Sequence, residues 1–382
     1  MKRVFLTSLA TVIVIILIFT GCSSPAPSAT STPVQPPTTG IKPTTSTQTP
    51  VPSTTPSPVT TAKIFELSYA HMHQTWDAKQ TGKYIPWAQA MEQAGNGQIK
   101  IKIYPAETLV KAKDMYDAVL GNIADIGDEF TGYWPGRFPR TDVMLLPGLG
   151  IHSSEMMGYI AYNLYKKGLT TADYPGVKVL EFSGIGDGHI SMKSKAIRTV
   201  ADIKGTKIRV GSSVNGQMIT ALGGTPILMP GPDTYTALDK GVVDGILINL
   251  NGVDAFGLWD VTKYHTKTPY SGVFFQSMNL NTWNSLPKDI QDNIEKQVFT
   301  AEWAMKDSKV MDVVDAQHQQ KQAGSKHEFI DLSKDELAKL DKDTAPIRDQ
   351  WLTDMKAKGI DGQALLDETV RLVSEYNQKF GK

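Results

Sequence analysis

Residues 204–250 constrain the fold of this 382-residue chain more than any other stretch. A basic turn leads into a short strand, Lys207–Val210, in which Arg209 stands on one face. A glycine-rich break follows, then a helix that ends at Gly241, and then a second buried strand at 245–250. This β-α-β-α-β rhythm predicts an α/β fold, and in such folds ligands bind at the ends of the strands.

Arg209 is the first candidate for a ligand contact, because a guanidinium beside a glycine-relaxed backbone suits planar capture of a carboxylate. The N-terminal part of the body repeats the same alternation. Its strands are predicted at 64–69, at 98–104 and from 124 onward, and its helices at 81–93 and 111–120. Strands that connect the two α/β units are predicted at 177–182, 189–193 and 274–279.

The C-terminal part of the chain is predicted to be helical. Pro287 is a favourable first helical residue, and 288–322 is predicted to form one long helix. A capping box that starts at Ser333 opens another helix, which is interrupted near Pro346. A last helix is predicted over 361–379.

The first residues have the pattern of an export signal. Two basic residues precede an uncharged apolar run at 9–19, which is too short and wrongly flanked for a membrane span. Cys22 then follows a Thr-Gly pair, as in a lipoprotein cleavage site. We therefore expect a signal peptide over 1–21 and a lipid on Cys22, although a simple signal peptide with a chance cysteine is the alternative. Cys22 is the only cysteine, which excludes a disulfide within the chain.

Residues 22–62 are predicted to be a tether that starts at the lipidated cysteine. Between 23 and 62 the chain has 10 Pro, 7 Ser and 12 Thr, and Lys42 is the only charged residue. Such a segment cannot bury enough apolar surface to fold. We therefore expect the globular body to begin at residue 63 and to be held close to a membrane.

Several short motifs of the body resemble one family when they are taken together and in order. They are Ile103-Tyr104-Pro105, Leu109, Asp125-Ile126, Leu145-Leu146-Pro147, 202–209, Gly224-Thr225-Pro226, 235–238, Val243-Asp244-Gly245 and 283–287. Behind a lipoprotein-like signal, this set resembles the solute-binding proteins of tripartite ATP-independent periplasmic (TRAP) transporters, the dicarboxylate-binding family. The similarity covers nearly all of the body.

The resemblance implies a two-lobed α/β fold of the periplasmic-binding-protein (Venus-flytrap) type, with a long helix that spans both lobes and further C-terminal helices. Lobe I is expected to comprise 63–189 and 274–313, and lobe II to comprise 190–273 and 314–382. The lobes of such proteins close over one small ligand, usually an organic acid anion, which a TRAP-type membrane permease then receives. The resemblance implies no cofactor and no bond-making chemistry, so we expect no enzyme activity.

The resemblance also implies candidate ligand contacts. Arg209 matches the arginine that pairs with the ligand carboxylate, and Lys195 falls where some acid-sugar binders have a second basic residue. His71 follows the first strand, where the family places a polar contact. The other candidates stand at strand ends or in the matched motifs, and they are Tyr69, Trp76, Glu129, Phe130, Tyr235 and Asn249.

Some of these positions keep alternatives open. Residues 128–130 are expected to form a loop that faces the ligand. His71 and His73 share one face of an extended segment, so a metal ion is the alternative to a neutral hydrogen-bond donor, but no carboxylate or cysteine at suitable spacing joins them. Family members often continue from Asp-Gly into Glu-Asn-Pro, whereas this chain offers Asn249 or Asn251 from a shifted position. Gly231 also stands where some members have an aromatic ring.

Other functions are weighed by what they require. The 39 basic and 39 acidic residues argue against nucleic acid as a partner, because phosphate binding needs a clustered positive surface. An exported hydrolase needs a positioned nucleophile, a base and an oxyanion site, and the sequence has no nucleophile elbow or metal triad. The same fold serving a sensor or a different transporter is the closer alternative.

Overall fold

The computed structural model describes residues 63–381, so the predicted signal peptide, Cys22 and the tether lie outside the described residues. Within this range the strands form two sheets. The strands are β1 (Phe65–Ala70), β2 (Ile99–Tyr104), β3 (Ile126–Phe130), β4 (Val177–Ile185), β5 (Gly188–Met192), β6 (Lys207–Val210), β7 (Thr225–Leu228), β8 (Gly245–Ile248), β9 (Tyr264–Thr268), β10 (Gly272–Asn279) and β11 (Glu328–Ile330).

Helices surround both sheets. They are α1 (Ile85–Ala94), α2 (Met115–Leu120), α3 (Ser154–Lys166), α4 (Ser213–Ala221), α5 (Thr234–Asp239), α6 (Leu250–Ala255), α7 (Leu280–Ser285), α8 (Lys288–Gln297), α9 (Ala301–Gln322), α10 (Lys334–Thr344), α11 (Pro346–Ala357) and α12 (Gly362–Phe380). A π-helical turn, Gln80–Tyr84, precedes α1. None of the helices between residues 63 and 381 is both long enough and apolar enough to span a membrane.

The first sheet has the strand order β2-β1-β3-β10-β4. The strand β1 pairs in parallel with β2 and β3, as two β-α-β units require. The strand β10 enters from much later in the chain and pairs antiparallel with β3 and β4. All five residues of β3 are buried, which fits a central strand that is covered on both faces.

The second sheet has the order β11-β9-β5-β8-β6-β7. Its strands β6, β7 and β8 are parallel and are connected by α4 and α5, so the β-α-β-α-β rhythm predicted for 204–250 is confirmed. The last of these strands is shorter than predicted, because α6 begins at Leu250 with Asn249 as its N-cap residue. In β6, Arg209 lies opposite Ile227 and Ile246 of the two neighbouring strands.

The chain passes between the sheets three times, at β4–β5, at β9–β10 and from β10 to β11 through the helices α7, α8 and α9. The predicted lobe boundaries, after residues 189 and 273, therefore fall inside β5 and β10 rather than between strands. The first two connections are short. Residues 186–187 separate β4 from β5, and residues 269–271 separate β9 from β10.

The prediction of one continuous helix over 288–322 is wrong. The helix α8 ends at Gln297, and α9 begins at Ala301 as a new helix of 22 residues. Thr300 causes the break, because it is extended and its side chain accepts a hydrogen bond from Trp303 N at 3.2 Å, as an N-cap does. The remaining long helix, α9, packs against α3 and β4 and also against α6, which follows the second sheet.

Candidate functional site

A cavity lies between the two sheets, where the ends of strands from both sheets meet. The first sheet contributes Phe130 at the end of β3, and the second contributes Arg209 from β6 and Asn249 after β8. The space between its walls that no protein atom occupies, including space open to solvent, is about 360 Å³. A larger groove of about 940 Å³ runs along residues 144–152, but neither arginine nor lysine is among its lining residues.

Arg209 is the buried basic group on the second-sheet side of the cavity. Its Nε and Nη2 atoms donate to the carbonyl oxygen of Met229 at 2.9 and 2.7 Å. This two-point bond to the backbone fixes the plane of the guanidinium. Within residues 63–381, Arg209 forms no ion pair with a carboxylate. A buried guanidinium without a protein counter-ion suits an anionic ligand.

Aromatic rings form most of the cavity wall. The rings of Phe130 and Phe274 have centroids 4.9 Å apart, and the ring centroid of Tyr133 lies 5.0 Å from that of Phe130. Phe256 closes the second-sheet side and fills the space above Gly231, where an added Cβ would come within 2.3 Å of its ring. The glycine at 231 is therefore matched by an aromatic ring from another part of the chain.

A second basic group, Lys79, lines the cavity from the first-sheet side. Its Nζ lies 2.7 Å from His73 Nε2, and the other nitrogen of that ring lies 2.8 Å from Asp77 Oδ2. Because an ammonium only donates, Nε2 of His73 must accept, and the ring proton must sit on Nδ1 and be donated to Asp77. The three side chains therefore form one directed chain of hydrogen bonds.

Burial controls the protonation of this chain. Burial lowers the pKa of Lys79 to about 8, although Asp77 and Asp128 oppose the shift. Burial, with help from the Lys79 charge, also lowers the pKa of His73, which agrees with the neutral ring that the hydrogen bond from Lys79 requires. Burial alone would raise the pKa of Asp77, but Lys79 and His73 outweigh it and hold that pKa well below its usual value. The three hydrogen-bonded side chains are therefore one ammonium, from Lys79, one carboxylate, from Asp77, and the neutral ring of His73 between them.

Direct hydrogen bonds cross the cleft beside the cavity. Asn251 Nδ2, on the second-sheet side, donates to Asp77 Oδ1 at 3.2 Å. The backbone N of Gly231 donates to the hydroxyl of Tyr133 at 2.9 Å. The two sides of the cleft are therefore in direct contact.

The helix α9 supports the second-sheet side of the cavity. Its residue Asp315 accepts hydrogen bonds from the backbone N of Asn251 and from Asn249 Nδ2, the latter at 3.2 Å. Both asparagines line the cavity at the start of α6. Burial raises the pKa of Asp315 to about 7, and these donors lower it in part.

The cavity brings together some of the predicted site residues. Arg209, Phe130 and Asn249 line it, and so does Asn251, which the sequence left as an alternative. His73 also lines it, with its ring centroid 6.0 Å from that of Phe256.

Other predicted residues are buried but lie behind the cavity. His71 stacks on Tyr84 at 3.9 Å, and neither ring nitrogen has a hydrogen-bond partner among the described residues. Burial lowers the pKa of His71 to about 3, so the ring is neutral. Tyr69 is fully buried and accepts a hydrogen bond from Gln276 Nε2 at 2.6 Å.

Three predicted residues lie on the surface, outside the cavity. Trp76 is 67% exposed and Tyr235 is 42% exposed. Lys195 is also exposed, and its Nζ donates to the carbonyl oxygen of Asp202.

The expected loop at 128–130 is wrong, because these residues belong to β3. Strand alternation then separates their side chains. Phe130 reaches the cavity, whereas Glu129 is buried on the opposite face and accepts from Ser277 Oγ at 2.7 Å. Burial raises the pKa of Glu129 well above its usual value.

The sequence interpretation missed Lys79, Tyr270, Phe256 and Phe274. The helix was predicted to start at residue 81, which left Lys79 as an unremarked residue in the preceding loop. A signal was present, because Asp77 and Lys79 follow His73 shortly after the end of β1. Among the described residues, no group of three or more His, Cys, Asp or Glu side chains is arranged to hold a metal ion.

The fold and the cavity are those of an α/β solute-binding protein with a ligand site between its two sheets. The sequence pattern of bacterial extracellular solute-binding proteins, family 7, matches residues 69–354, which is well over half of the chain. The chain therefore belongs to this family. The match confirms the predicted solute-binding family and the predicted class, an extracytoplasmic solute receptor and not an enzyme, whereas dicarboxylate specificity stays a prediction.

Relatives and solved structures agree with this assignment. A monocarboxylate 2-oxoacid-binding periplasmic protein from Nostoc sp. is 26% identical over 57% of this chain and 61% of its own length, which is less than two thirds. The C4-dicarboxylate-binding periplasmic protein DctP of Rhodobacter capsulatus is 24% identical over 70% of this chain and 81% of its own.

Among solved structures, a marine metagenome TRAP solute-binding protein specific for aromatic acid ligands, crystallised with 3-hydroxybenzoate, has a TM-score of 0.78 and 26% identity. It covers 82% of this chain and 99% of its own. A TRAP protein from Bordetella bronchiseptica with bound mandelate has a TM-score of 0.76 and 25% identity, over 81% and 99% of the two chains. The predicted two-lobed α/β fold class is confirmed by these structures.

Proposed function

We propose that this protein binds a small carboxylic acid with an apolar, ring-shaped body and delivers it to a TRAP-type permease. The observation that carries the proposal is the buried guanidinium of Arg209 in a cavity whose walls are aromatic. The guanidinium would pair with the carboxylate, and the rings would pack against the body of the ligand.

The energetics favour Arg209 as the principal contact. Hydrogen bonds to charged groups contribute about 1.5–3 kcal/mol each, and two parallel bonds fix the orientation of a carboxylate. The bonds from Nε and Nη2 to Met229 hold the guanidinium in place before the ligand arrives. Little side-chain entropy is then lost on binding, which favours affinity.

The walls favour an aromatic acid over a small flexible diacid. Phe130, Phe256 and Phe274 all line the cavity in which the ligand body would lie. The relatives above support both possibilities, because one binds 3-hydroxybenzoate and another is named for C4-dicarboxylates. Aromatic monocarboxylates are the first choice, and dicarboxylates remain in the same test.

Closure of two lobes is proposed as the mechanism. The two sheets would be the centres of lobes I and II, and the β4–β5 and β9–β10 connections would be the hinge. A ligand that contacts both lobes stabilises the closed form by its differential contacts. Gly132 allows the lobes to approach closely, because an added Cβ there would lie 2.4 Å from Gly211 O.

The membrane anchor and the permease complete the proposal. The pattern around Cys22 supports lipidation, and the Pro/Ser/Thr-rich tether would leave the receptor free to reach a membrane permease. Cys22→Ser should release the protein from the membrane fraction. If that variant stays membrane-bound after export, the lipid anchor is wrong.

The ligand site is tested with Arg209→Ala and isothermal titration calorimetry against benzoate, mandelate and the C4-dicarboxylate succinate. We expect the affinity to fall about 100-fold or more, because two charge-assisted hydrogen bonds are lost. Arg209→Lys should recover only part of the affinity, because a lysine cannot make the planar two-point contact. Arg198→Ala is the matched control, since Arg198 is exposed and pairs with Glu328.

Thermal melting of each ligand-free variant separates a loss of binding from a loss of folding. A folded Arg209→Ala protein that binds as tightly as the wild type would contradict the site. Wild-type protein that binds none of these acids would contradict the ligand class. A sensor or another transporter as the downstream partner would be favoured instead if deletion of the TRAP permease left uptake of the bound acid unchanged.

A further inference from the structure

Two buried basic groups face one cavity from opposite sides of the cleft. Arg209 belongs to β6 of the second sheet, and Lys79 lies in the segment that follows β1 of the first. The proposed function uses only Arg209. Lys79 therefore needs an explanation of its own.

Lys79 is buried with few protein partners. Its Nζ makes one hydrogen bond among the described residues, to His73 Nε2, and it forms no ion pair there. It also lies 5.0 Å from the centre of the Phe274 ring, a cation–π distance. An ammonium has three N–H donors, and a buried charge with unused donors is costly unless a further acceptor arrives.

The rest of the chain of hydrogen bonds holds Lys79 in position. Asp77 accepts from His73 Nδ1 through Oδ2, and its Oδ1 accepts from the backbone N of Lys79 and from Asn251. These contacts hold the segment from His73 to Lys79 in place. They orient the His73 ring so that its Nε2 accepts a hydrogen bond from the Lys79 ammonium. Lys79 is thus positioned at the cavity before any ligand is bound.

We propose that Lys79 donates a hydrogen bond to a second oxygen-bearing group of the ligand. This receptor then selects acids with a hydroxyl, oxo or second carboxylate group over an acid, such as benzoate, that has only one carboxylate. The inference rests on the proposed function, in which Arg209 takes the carboxylate. The ligand then bridges one basic group on each side of the cleft. Closure is favoured most by acids that reach both groups.

The depressed pKa of Lys79, about 8, agrees with this geometry. An ammonium that already had a full set of acceptors would not lose its proton so readily. An oxygen acceptor from the ligand would supply the missing interaction.

The test measures selectivity rather than binding alone. Calorimetry at pH 7 compares benzoate with a panel of its oxygen-bearing relatives: the three hydroxybenzoates, mandelate, phenylglyoxylate and isophthalate. We expect the wild type to bind at least one member of the panel about 10-fold or more tightly than benzoate. The panel member that binds most tightly shows whether the second group of the ligand is a hydroxyl, an oxo or a carboxylate group.

Lys79→Met keeps the apolar stem and removes the ammonium. We expect it to weaken the preferred acid about 10- to 100-fold and benzoate by about threefold or less, which abolishes the preference. Lys79→Arg should restore part of the preference. Lys111→Met is the matched control, because Lys111 is exposed and lies outside the cavity.

Equal losses for benzoate and the preferred acid would overturn the proposal, because Lys79 would then act on any anion. An unchanged preference in Lys79→Met would overturn it as well. If Lys79→Met does not fold, the wild type still decides the matter. Calorimetry at pH 8.5 in two buffers of different ionisation enthalpy should then detect proton uptake with the preferred acid, and its absence would refute the proposal. Failure of the proposed function itself would look different, because the wild type would bind no acid at all.

Discussion

Lys79 and Lys83 are both buried lysines of the same short segment, but their surroundings differ. The Nζ of Lys83 lies 3.0 Å from Asp128 Oδ1, 3.4 Å from Glu181 Oε2 and 2.6 Å from Ser183 Oγ. Among the described residues, the Nζ of Lys79 has one hydrogen-bond partner, the neutral ring of His73, and Lys79 lines the cavity. Both lysines are buried, so it is the carboxylate partners of Lys83 that make it structural, and the lack of such partners that leaves Lys79 available to a ligand.

The protonation of the two lysines follows from these partners. Burial lowers the pKa of Lys83, but Asp128 and Glu181 outweigh it and raise that pKa above its usual value. Burial lowers the pKa of Lys79 to about 8, and its nearby charges offset this only in part. Lys83 does not compensate every carboxyl group near it. Burial raises the pKa of Asp307 to about 7 and that of Glu181 well above its usual value.

The largest expected effect is on stability, from Lys83→Met. Removing one partner of a buried ion pair leaves Asp128 uncompensated and costs about 3–5 kcal/mol. Urea denaturation should therefore show a large fall in the free energy of unfolding. Lys79→Met is the matched variant, and we expect a smaller loss of about 1–2 kcal/mol, because it breaks one hydrogen bond, to His73 Nε2, and no direct ion pair. Equal destabilisation by both variants would remove the distinction between the two lysines.

The next effect is a pH dependence of binding. With a pKa of about 8, free Lys79 is protonated below pH 8 and loses its proton above it. An acceptor on the ligand favours the protonated form, so the affinity should be constant below pH 8 and fall up to about tenfold per pH unit above it. Mandelate suits this titration, because its hydroxyl does not ionise in this range. The charged groups that face Lys79 are Asp77, Lys83, Asp128 and Asp315, and its neutral neighbour is His73.

Lys79→Arg gives the control for this profile, because arginine stays charged throughout the range. Its affinity for mandelate should not change between pH 7 and pH 9.5. A wild-type profile that is equally flat would mean that Lys79 does not contact the ligand.

The smallest effect is expected from Tyr133→Phe. The hydroxyl of Tyr133 accepts from Gly231 N across the cleft, and its removal leaves that N–H without a partner in the closed form. A cost of about 1 kcal/mol would weaken binding about fivefold. Because closure is common to all ligands, benzoate and the preferred acid should be affected alike, in contrast to Lys79→Met. Tyr162→Phe, at a half-buried tyrosine outside the cavity, is the control.

The sequence predicted the parallel unit of the second sheet because its signals are local. Glycine-rich breaks and short apolar runs define β6, β7 and β8, and Arg209 was placed at the cleft by its motif. The helix over 288–322 was predicted too long because Val298 and Phe299 continue the apolar pattern through the break. Both are buried, and the cap at Thr300 was not recognised.

The candidate site was predicted less well, because sequence position does not say which way a side chain at a strand end faces. Trp76 and Lys79 lie on the same loop after β1, yet the first is exposed and the second lines the cavity. Phe256 and Phe274 reach the cavity from distant parts of the chain. Their convergence depends on tertiary packing, which no local pattern encodes.

The most direct test is a crystal structure of the protein with the acid that binds most tightly. The carboxylate is predicted to lie within hydrogen-bonding distance, about 3 Å, of the Arg209 guanidinium, with the ring between Phe130 and Phe256 and the second oxygen about 3 Å from Lys79 Nζ. A ligand that lies outside this cavity, or whose carboxylate does not contact Arg209, would contradict the site. A ligand on Arg209 whose second oxygen points away from Lys79 would contradict the division of roles between the two basic groups.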